Sequence, residues 1–168
     1  ARGRVRFAVA AAPGPAGARL TGLRQEGSAK AFLPRTFGRL EGVILNTAGG
    51  LAGGDRFGWE VEVGAGARFS VATQAAERAY RAIPGSEARV ETRLTLGAGA
   101  ALDWLPQETI LYEGAALSRT VEVEMAADAR LLAVEPVVLG RHAHGETLRG
   151  LACRDRWRVR RAGRLAWA

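Results

Sequence analysis

An all-β fold is what this sequence predicts: stacked β-hairpins or β-helix-like sheets, with at most one or two short helices. Three observations predict it. Apolar and polar residues alternate with period two along many short runs. Glycine accounts for 22 of 168 residues, well above the usual ~7% and suited to many turns rather than a helical bundle. A strand–corner–strand segment also recurs along the chain.

In chain order, Val5, Phe7 and Val9 alternate with Arg4, Arg6 and Ala8 and read as a first strand. The same stretch faintly resembles an export signal, but Pro13 cuts its apolar run below the ~7–15 residues such a signal needs. Residues 11–17, rich in Pro and Gly, are a loop. Trp59-Glu-Val-Glu-Val63, Phe69 with Val71, Val90-Glu-Thr-Arg-Leu94, Val121-Glu-Val-Glu124 and Trp157-Arg-Val-Arg160 each alternate as half-buried strands do. Residues 72–82 are the one helical candidate, a short turn at most. The repeat matches Val61-Glu-Val-Gly-Ala-Gly-Ala-Arg-Phe69 to Leu94-Thr-Leu-Gly-Ala-Gly-Ala-Ala-Leu102, with a looser copy over residues 121–131. Glycine permits the corner and alanine limits its bulk, so the copies should stack as layered hairpins or solenoid-like coils.

The length fits one domain with a real core. A composition 48% hydrophobic and 24% charged excludes a wholly disordered chain, and no apolar run approaches the ~20 residues of a spanning helix. The net charge of +7 is unevenly placed. Residues 1–35 carry seven basic groups and one acid, residues 149–168 carry seven Arg and one acid, and the middle is acidic. Such ends read either as nucleic-acid contacts, with Trp157 or Trp167 stacking on bases, or as solvated strand faces beside an acidic partner surface. A lone Cys153 gives no disulfide framework and fits a reducing, cytoplasmic compartment.

Four segments stand out chemically. Asn46-Thr-Ala-Gly-Gly-Leu-Ala-Gly-Gly-Asp55 lacks the Lys of a phosphate loop and the spacing of a dinucleotide fingerprint. It reads as a tight turn with close backbone packing, or as a backbone shaped to hold Asp55 at a partner surface or channel. His142, His144 and Glu146 would align as N, N, O metal ligands on a regular strand. Glu135 interrupts the apolar run 131–139 and needs a partner or a wet cavity, with Arg141 the expected partner. Gln107 and Glu108 follow the rigid Pro106. No nucleophile machinery is evident. A small metal-binding enzyme using His142, His144 and Glu146 is a further reading.

Four blocks in order resemble a known family: the Gly block ending at Asp55; Ala76-Glu-Arg-Ala-Tyr-Arg81; Leu102-Asp-Trp-Leu-Pro-Gln-Glu108; and Gly140-Arg-His-Ala-His-Gly-Glu146. They are similar to those of the urease accessory protein UreD (UreH) family, from about Arg24 to Ala168. The resemblance implies a non-catalytic chaperone, not an enzyme, that binds apo-urease and docks UreF, which carries the GTPase UreG. Nickel would be in transit, with no tightly bound cofactor. No nucleic acid or membrane partner is implied, and a homo-oligomer remains open.

Position by position, the resemblance carries over Asp55, Tyr80, Arg81, Gln107, Glu108, Glu135, Arg141 and Glu146 as nickel-passage or partner-facing residues. His142 and His144 fall where the family does not require His and are at most weak ligands. Arg78 stands in place of the family's usual Lys. Residues 1–168 read as a single UreD-like domain lacking the family's C-terminal part. The alternative function is an Arg-rich β-domain that binds nucleic acid.

Overall fold

The protein, described by a computed structural model over residues 1–34 and 38–168, begins with two antiparallel pairs. They are β1 (Arg2–Ala11) with β2 (Ala18–Gly27), and β3 (Ala29–Phe32) with β4 (Glu41–Asn46). Three coils follow. The first is β5 (Arg56–Val63), β6 (Arg68–Thr73) and β7 (Glu77–Ala79). The second is β8 (Ala88–Leu96), β9 (Ala101–Leu105) and β10 (Thr109–Leu111). The third is β11 (Ala116–Met125), β12 (Arg130–Ala133) and β13 (Val137–Leu139). After a short 3-10 turn at His142–His144, β14 (Ala152–Arg161) and β15 (Arg164–Trp167) complete the described chain.

Each coil gives one strand to each of three sheets, as in a β-solenoid. The largest sheet has the order β15-β14-β11-β8-β5-β1-β2, the second β12-β9-β6-β4-β3, and the third β13-β10-β7. Coil-to-coil pairing is parallel throughout.

The sequence repeat is the corner between the first two sheets. Val63, Leu96 and Met125 are in register. After each, the chain turns with the same bond: Ala67, Ala100 and Ala129 donate to the carbonyls of Gly64, Gly97 and Ala126 at 3.0, 3.1 and 3.3 Å. Gly66 and Gly99 hold φ near +65°, where glycine carries no Cβ penalty. The three stacked alanines are buried, so a small side chain is what lets neighbouring corners meet.

Inside, the period-two pattern becomes rows of stacked side chains. Val61, Leu94 and Val123 form one row, and Phe69, Leu102 and Leu131 another. On the outer face of the largest sheet, charges run in opposed pairs: Arg6–Glu62 at 2.7 Å, Arg4–Glu60 at 3.6 Å, Arg158–Glu122 and Arg160–Glu124 at 3.5 Å. Two of the seven basic groups at each end are thereby matched across strands, each exposed pair adding roughly 0–1 kcal/mol.

The helical candidate at residues 72–82 is corrected. Residues 74–76 turn, and Glu77–Ala79 is strand β7. The alanine-rich composition favours a helix locally, but pairing of β7 with β10 satisfies the same backbone groups and buries Ala79.

Candidate functional site

One corner of the solenoid, where the smallest sheet hands over to the largest, gathers three of the four sequence blocks. The Gly block is the earliest turn there. Asn46 shapes it: its Oδ1 accepts from the Ala48 N–H at 2.8 Å and its Nδ2 donates to the Gly50 carbonyl at 2.9 Å. Leu51 then bridges in parallel to Ala79, its N–H donating to the Arg78 carbonyl at 2.7 Å. On the next coil the Tyr80 hydroxyl donates to the Gly49 carbonyl at 2.9 Å. The Tyr80 ring meets Tyr112 of the following coil edge to face at 5.2 Å. Arg141, one coil further, places its guanidinium 4.4 Å from the Tyr112 ring centre.

Charged groups run beside this aromatic ladder. Arg81 lies 3.8 Å from Glu113. Glu113 accepts the Arg149 N–H at 2.6 Å and the Gly150 N–H at 3.2 Å. Glu146 accepts from the Arg141 backbone at 2.8 Å and its Nη2 at 2.9 Å, and from the Glu113 N–H at 3.3 Å. The 3-10 turn closed by Gly145 in the left-handed region (φ 65°) brings Glu146 back onto Arg141. The result is an open groove of about 460 Å³ lined by Tyr80, Arg81, Tyr112, Glu113, Arg141 and Glu146.

The bond from Arg141 holds the Glu146 carboxyl far below the usual carboxylate range, at about 2. The Arg149 and Gly150 N–H groups push Glu113 down as well. A depressed carboxyl pKa contributes stability that is present above its unfolded value and lost as pH falls through the folded one. The corner is therefore expected to hold above about pH 4.5 and to open progressively as pH falls toward 2. NMR titration of the Arg141 side chain checks this: its signals should move in that window in the wild type and stay put in Glu146→Gln.

A second arrangement lies inside the solenoid. Glu135 sits between β12 and β13 with its side chain 5% exposed. It accepts the Trp104 indole N–H at 2.7 Å and lies 3.0 Å from Arg119 Nε. The expected Glu135–Arg141 pair is thereby corrected: Arg119, on the inward face of β11, is the partner, and Arg141 belongs to Glu146. Arg119 also pairs with Asp155. Burial pushes the Glu135 carboxyl up, against the pull of Arg119 and the indole bond. Burial likewise raises Glu77, which Asn46 contacts at 3.2 Å. Glu77, Gln107, Thr92, Trp104, Arg119 and Glu135 border an interior cavity of about 50 Å³.

The remaining predicted residues are placed as follows. Asp55 is buried; one carboxylate oxygen accepts the Ala52 N–H at 2.9 Å and the other faces the Ala1 amino group. The Gln107 N–H donates to Thr73 Oγ1 at 2.8 Å, and the Glu108 carbonyl accepts the Glu77 N–H at 2.9 Å. His142 and His144 are exposed. The alignment of His142, His144 and Glu146 on one strand is corrected: the histidines lie in a 3-10 turn and Glu146 is engaged by Arg141. Among the described residues no three His, Cys, Asp or Glu side chains are placed to hold a metal ion.

The sequence reading missed Arg119, Asp155, Tyr112, Glu113 and Glu77. A signal existed for the first two. Arg119 shares its alternation phase with Leu117, Val121 and Val123, and Asp155 shares that of Trp157 and Val159, so both are inward positions on their strands. Tyr112 and Glu113 are assembled with the corner only by stacking, and no local pattern marks them.

Against known proteins, the family model described as UreD urease accessory protein matches residues 1–168. The chain is 55% identical over 151 residues to the urease accessory protein UreD of Rhizobium leguminosarum bv. viciae, covering 89% of this chain and 55% of that one. It is 53% identical over 169 residues to the UreD of Rhizobium rhizogenes (strain K84 / ATCC BAA-868), covering 100% of this chain and 61% of that one. With the UreD of Jannaschia sp. (strain CCS1) it shares 56% identity over 151 residues, 89% of this chain and 56% of that one. The chain thus spans between 55% and 61% of the length of these relatives. On a match along its whole length and identities above one half, the chain belongs to the UreD urease accessory protein family.

Proposed function

We propose that this chain works as a non-catalytic scaffold in the maturation of urease. It holds apo-urease and UreF, reaches the GTPase UreG through UreF, and lets nickel pass without keeping it. The observation that carries this reading is the corner itself. Three blocks separated by tens of residues meet in one ladder of Gly49, Tyr80, Tyr112 and Arg141, open to solvent along its length. Aromatic and Arg side chains on a rigid frame are what protein interfaces favour as anchors. Glu77, Gln107 and Glu135 border the interior cavity and carry oxygens, the ligand type a borderline or hard cation accepts in transit. A cytoplasmic setting goes with this role.

The test uses the purified chain with purified apo-urease and, separately, UreF. A stoichiometric complex with at least one of them is expected. Arg81→Glu, whose side chain is 68% exposed, should weaken it at least tenfold with the melting temperature unchanged. His142→Ala with His144→Ala should leave it as it is. Absence of a complex with either partner overturns the scaffold reading, and wild-type affinity in Arg81→Glu removes the corner from it. Oligonucleotide affinity that falls steeply with salt would favour the nucleic-acid reading instead.

A further inference from the structure

The outer face of the largest sheet carries its charges in rows, because outward side chains of parallel strands in register line up across the sheet. One row reads Arg6, Glu60, Arg93, Glu122, Arg158 and alternates in sign from strand to strand. Four residues earlier on each strand, another reads Arg2, Arg56, Arg89, Ser118, Arg154. That row holds guanidinium groups and no carboxylate. Neighbouring strands lie about 4.8 Å apart, and like charges directly opposite destabilise a sheet. The alternating row shows that this sheet can set opposite charges side by side, so strand pairing does not call for the arginine row.

The acids beside the row are already engaged. Glu87 pairs with Arg89 at 2.9 Å, Glu91 with Arg93 at 3.4 Å, and Glu26 with Arg24. Among the described residues, Arg2, Arg56 and Arg154 have no ion-pair partner. Gly58 lies in the next outward row, opposite Arg4, and brings no side chain to fill the surface. A depression of about 490 Å³ lies over it, bordered by Arg2, Arg4, Arg56 and Arg89 together with the paired Glu26 and Glu91.

We propose that the arginine row docks an acidic helix of a protein partner, laid along the direction in which the coils stack. The spacing selects the occupant. Acids at i and i+3 or i+4 of a helix recur about every 4.5–6 Å along its axis, close to the ~4.8 Å between strands. Same-face side chains of an extended strand recur about every 6.6 Å and lose register with the row within two steps. A single-stranded nucleic acid would meet the charge but find no stacking platform. Neither this row nor the next, Arg4, Gly58, Glu91, Thr120, Arg156, contains an aromatic residue, and Phe57 beneath the depression is buried. Docking replaces repulsion between arginines with arginine–carboxylate pairs, so the row is favourable only in the complex. This surface shares no residue with the Tyr80–Tyr112–Arg141 ladder.

The experiment uses the purified chain at about 0.15 M salt, where the Debye length is about 8 Å. The probe is a labelled, alanine-rich helical peptide with glutamates at every third or fourth position along one face, followed by fluorescence anisotropy. A peptide of the same composition with its glutamates spread around the helix, and a single-stranded oligonucleotide of equal charge, are the comparisons. The one-faced peptide should bind at least fivefold tighter than either. Arg56→Gln with Arg89→Gln should weaken it at least tenfold. Arg93→Gln with Arg158→Gln removes the same charge from the alternating row, roughly 13 Å away along the strands, and should change it less than twofold.

No binding of the one-faced peptide, equal binding of the two peptides, or equal losses in the two double variants overturns the proposal. Tighter binding of the oligonucleotide, lost in Arg56→Gln with Arg89→Gln, overturns the helix in favour of a nucleic acid. Arg56→Gln alone should melt no lower than wild type, because it relieves repulsion. A loss of more than about 3 °C would give Arg56 a structural role and overturn the proposal as well. None of these readouts involves apo-urease or UreF, so failure here is separable from failure of the scaffold reading.

Discussion

Gly50→Ala is expected to lower the melting temperature by roughly 10 °C. Gly50 has φ +149°, and a Cβ built there falls 2.3 Å from Tyr80 Cε2 and 2.7 Å from the Arg78 carbonyl oxygen. Each neighbour would have to give up a contact to retreat. The Arg78 carbonyl accepts the Leu51 N–H at 2.7 Å, and the Tyr80 ring is held by its hydroxyl on Gly49 and by Tyr112. Backbone strain of about 1–3 kcal/mol and overpacking of about 1–3 kcal/mol therefore act together. At about 2–4 °C per kcal/mol for a chain of this size, roughly 10 °C follows. Gly49→Ala is the control. It also has positive φ (+79°), but its Cβ meets nothing within 4 Å, so only the left-handed cost of about 1–2 kcal/mol remains. Equal losses in the two variants, read in thermal melts, would refute the close packing of the Gly block on Tyr80.

Trp104→Ala should be similarly costly, at about 5 kcal/mol in urea unfolding. The side chain is 2% exposed, and removing a buried aromatic costs about 3–5 kcal/mol in cavity and transfer terms. The lost indole donor adds to this, because Glu135 Oε1 gives up its 2.7 Å bond in a buried site. Trp104→Phe separates the two effects, keeping most of the ring and losing about 1–3 kcal/mol for the unpaired oxygen.

The sign of its pH dependence follows from Glu135. A carboxyl raised by burial contributes most below its unfolded pKa, and its contribution is lost as pH rises through the folded value. The indole bond opposes that rise, so removing it raises Glu135 further. The deficit of Trp104→Phe relative to wild type should then be larger at about pH 7 than at about pH 4. A deficit independent of pH would mean that Glu135 does not feel the indole.

Much of the architecture was legible in residue order. Alternation located the strands because side chains on a strand point to opposite faces, and the Gly-Ala-Gly-Ala corners located two equivalent turns. The failure at residues 72–82 came from judging a helix by local composition, where pairing with the neighbouring coil decides. The failure at Glu135 had a different cause. Its partner was sought nearby in sequence, at Arg141, while the third coil closes on itself and brings Arg119 of β11 to 3.0 Å across its interior. Closure of a coil brings its first strand against its second corner, and that contact leaves no mark in a short window of sequence.

The sequence by itself determined the all-β class, the repeat, the corner alanines and the four blocks that mark the family. Each is either a period-two pattern or a backbone demand met by Gly or Ala, and both are local. Only the tertiary structure decided which charges meet. It joined the Gly block to Tyr80, Tyr80 to Tyr112 and Tyr112 to Arg141, and it placed Arg119 between Glu135 and Asp155. The ladder and the Arg119–Asp155 pair depend on the register between coils, which is set by the sum of many stacked rows rather than by the residues that touch, while Arg119 meets Glu135 across the inside of one coil. That is why the ladder and the interior pair become visible only once the coils are closed and stacked.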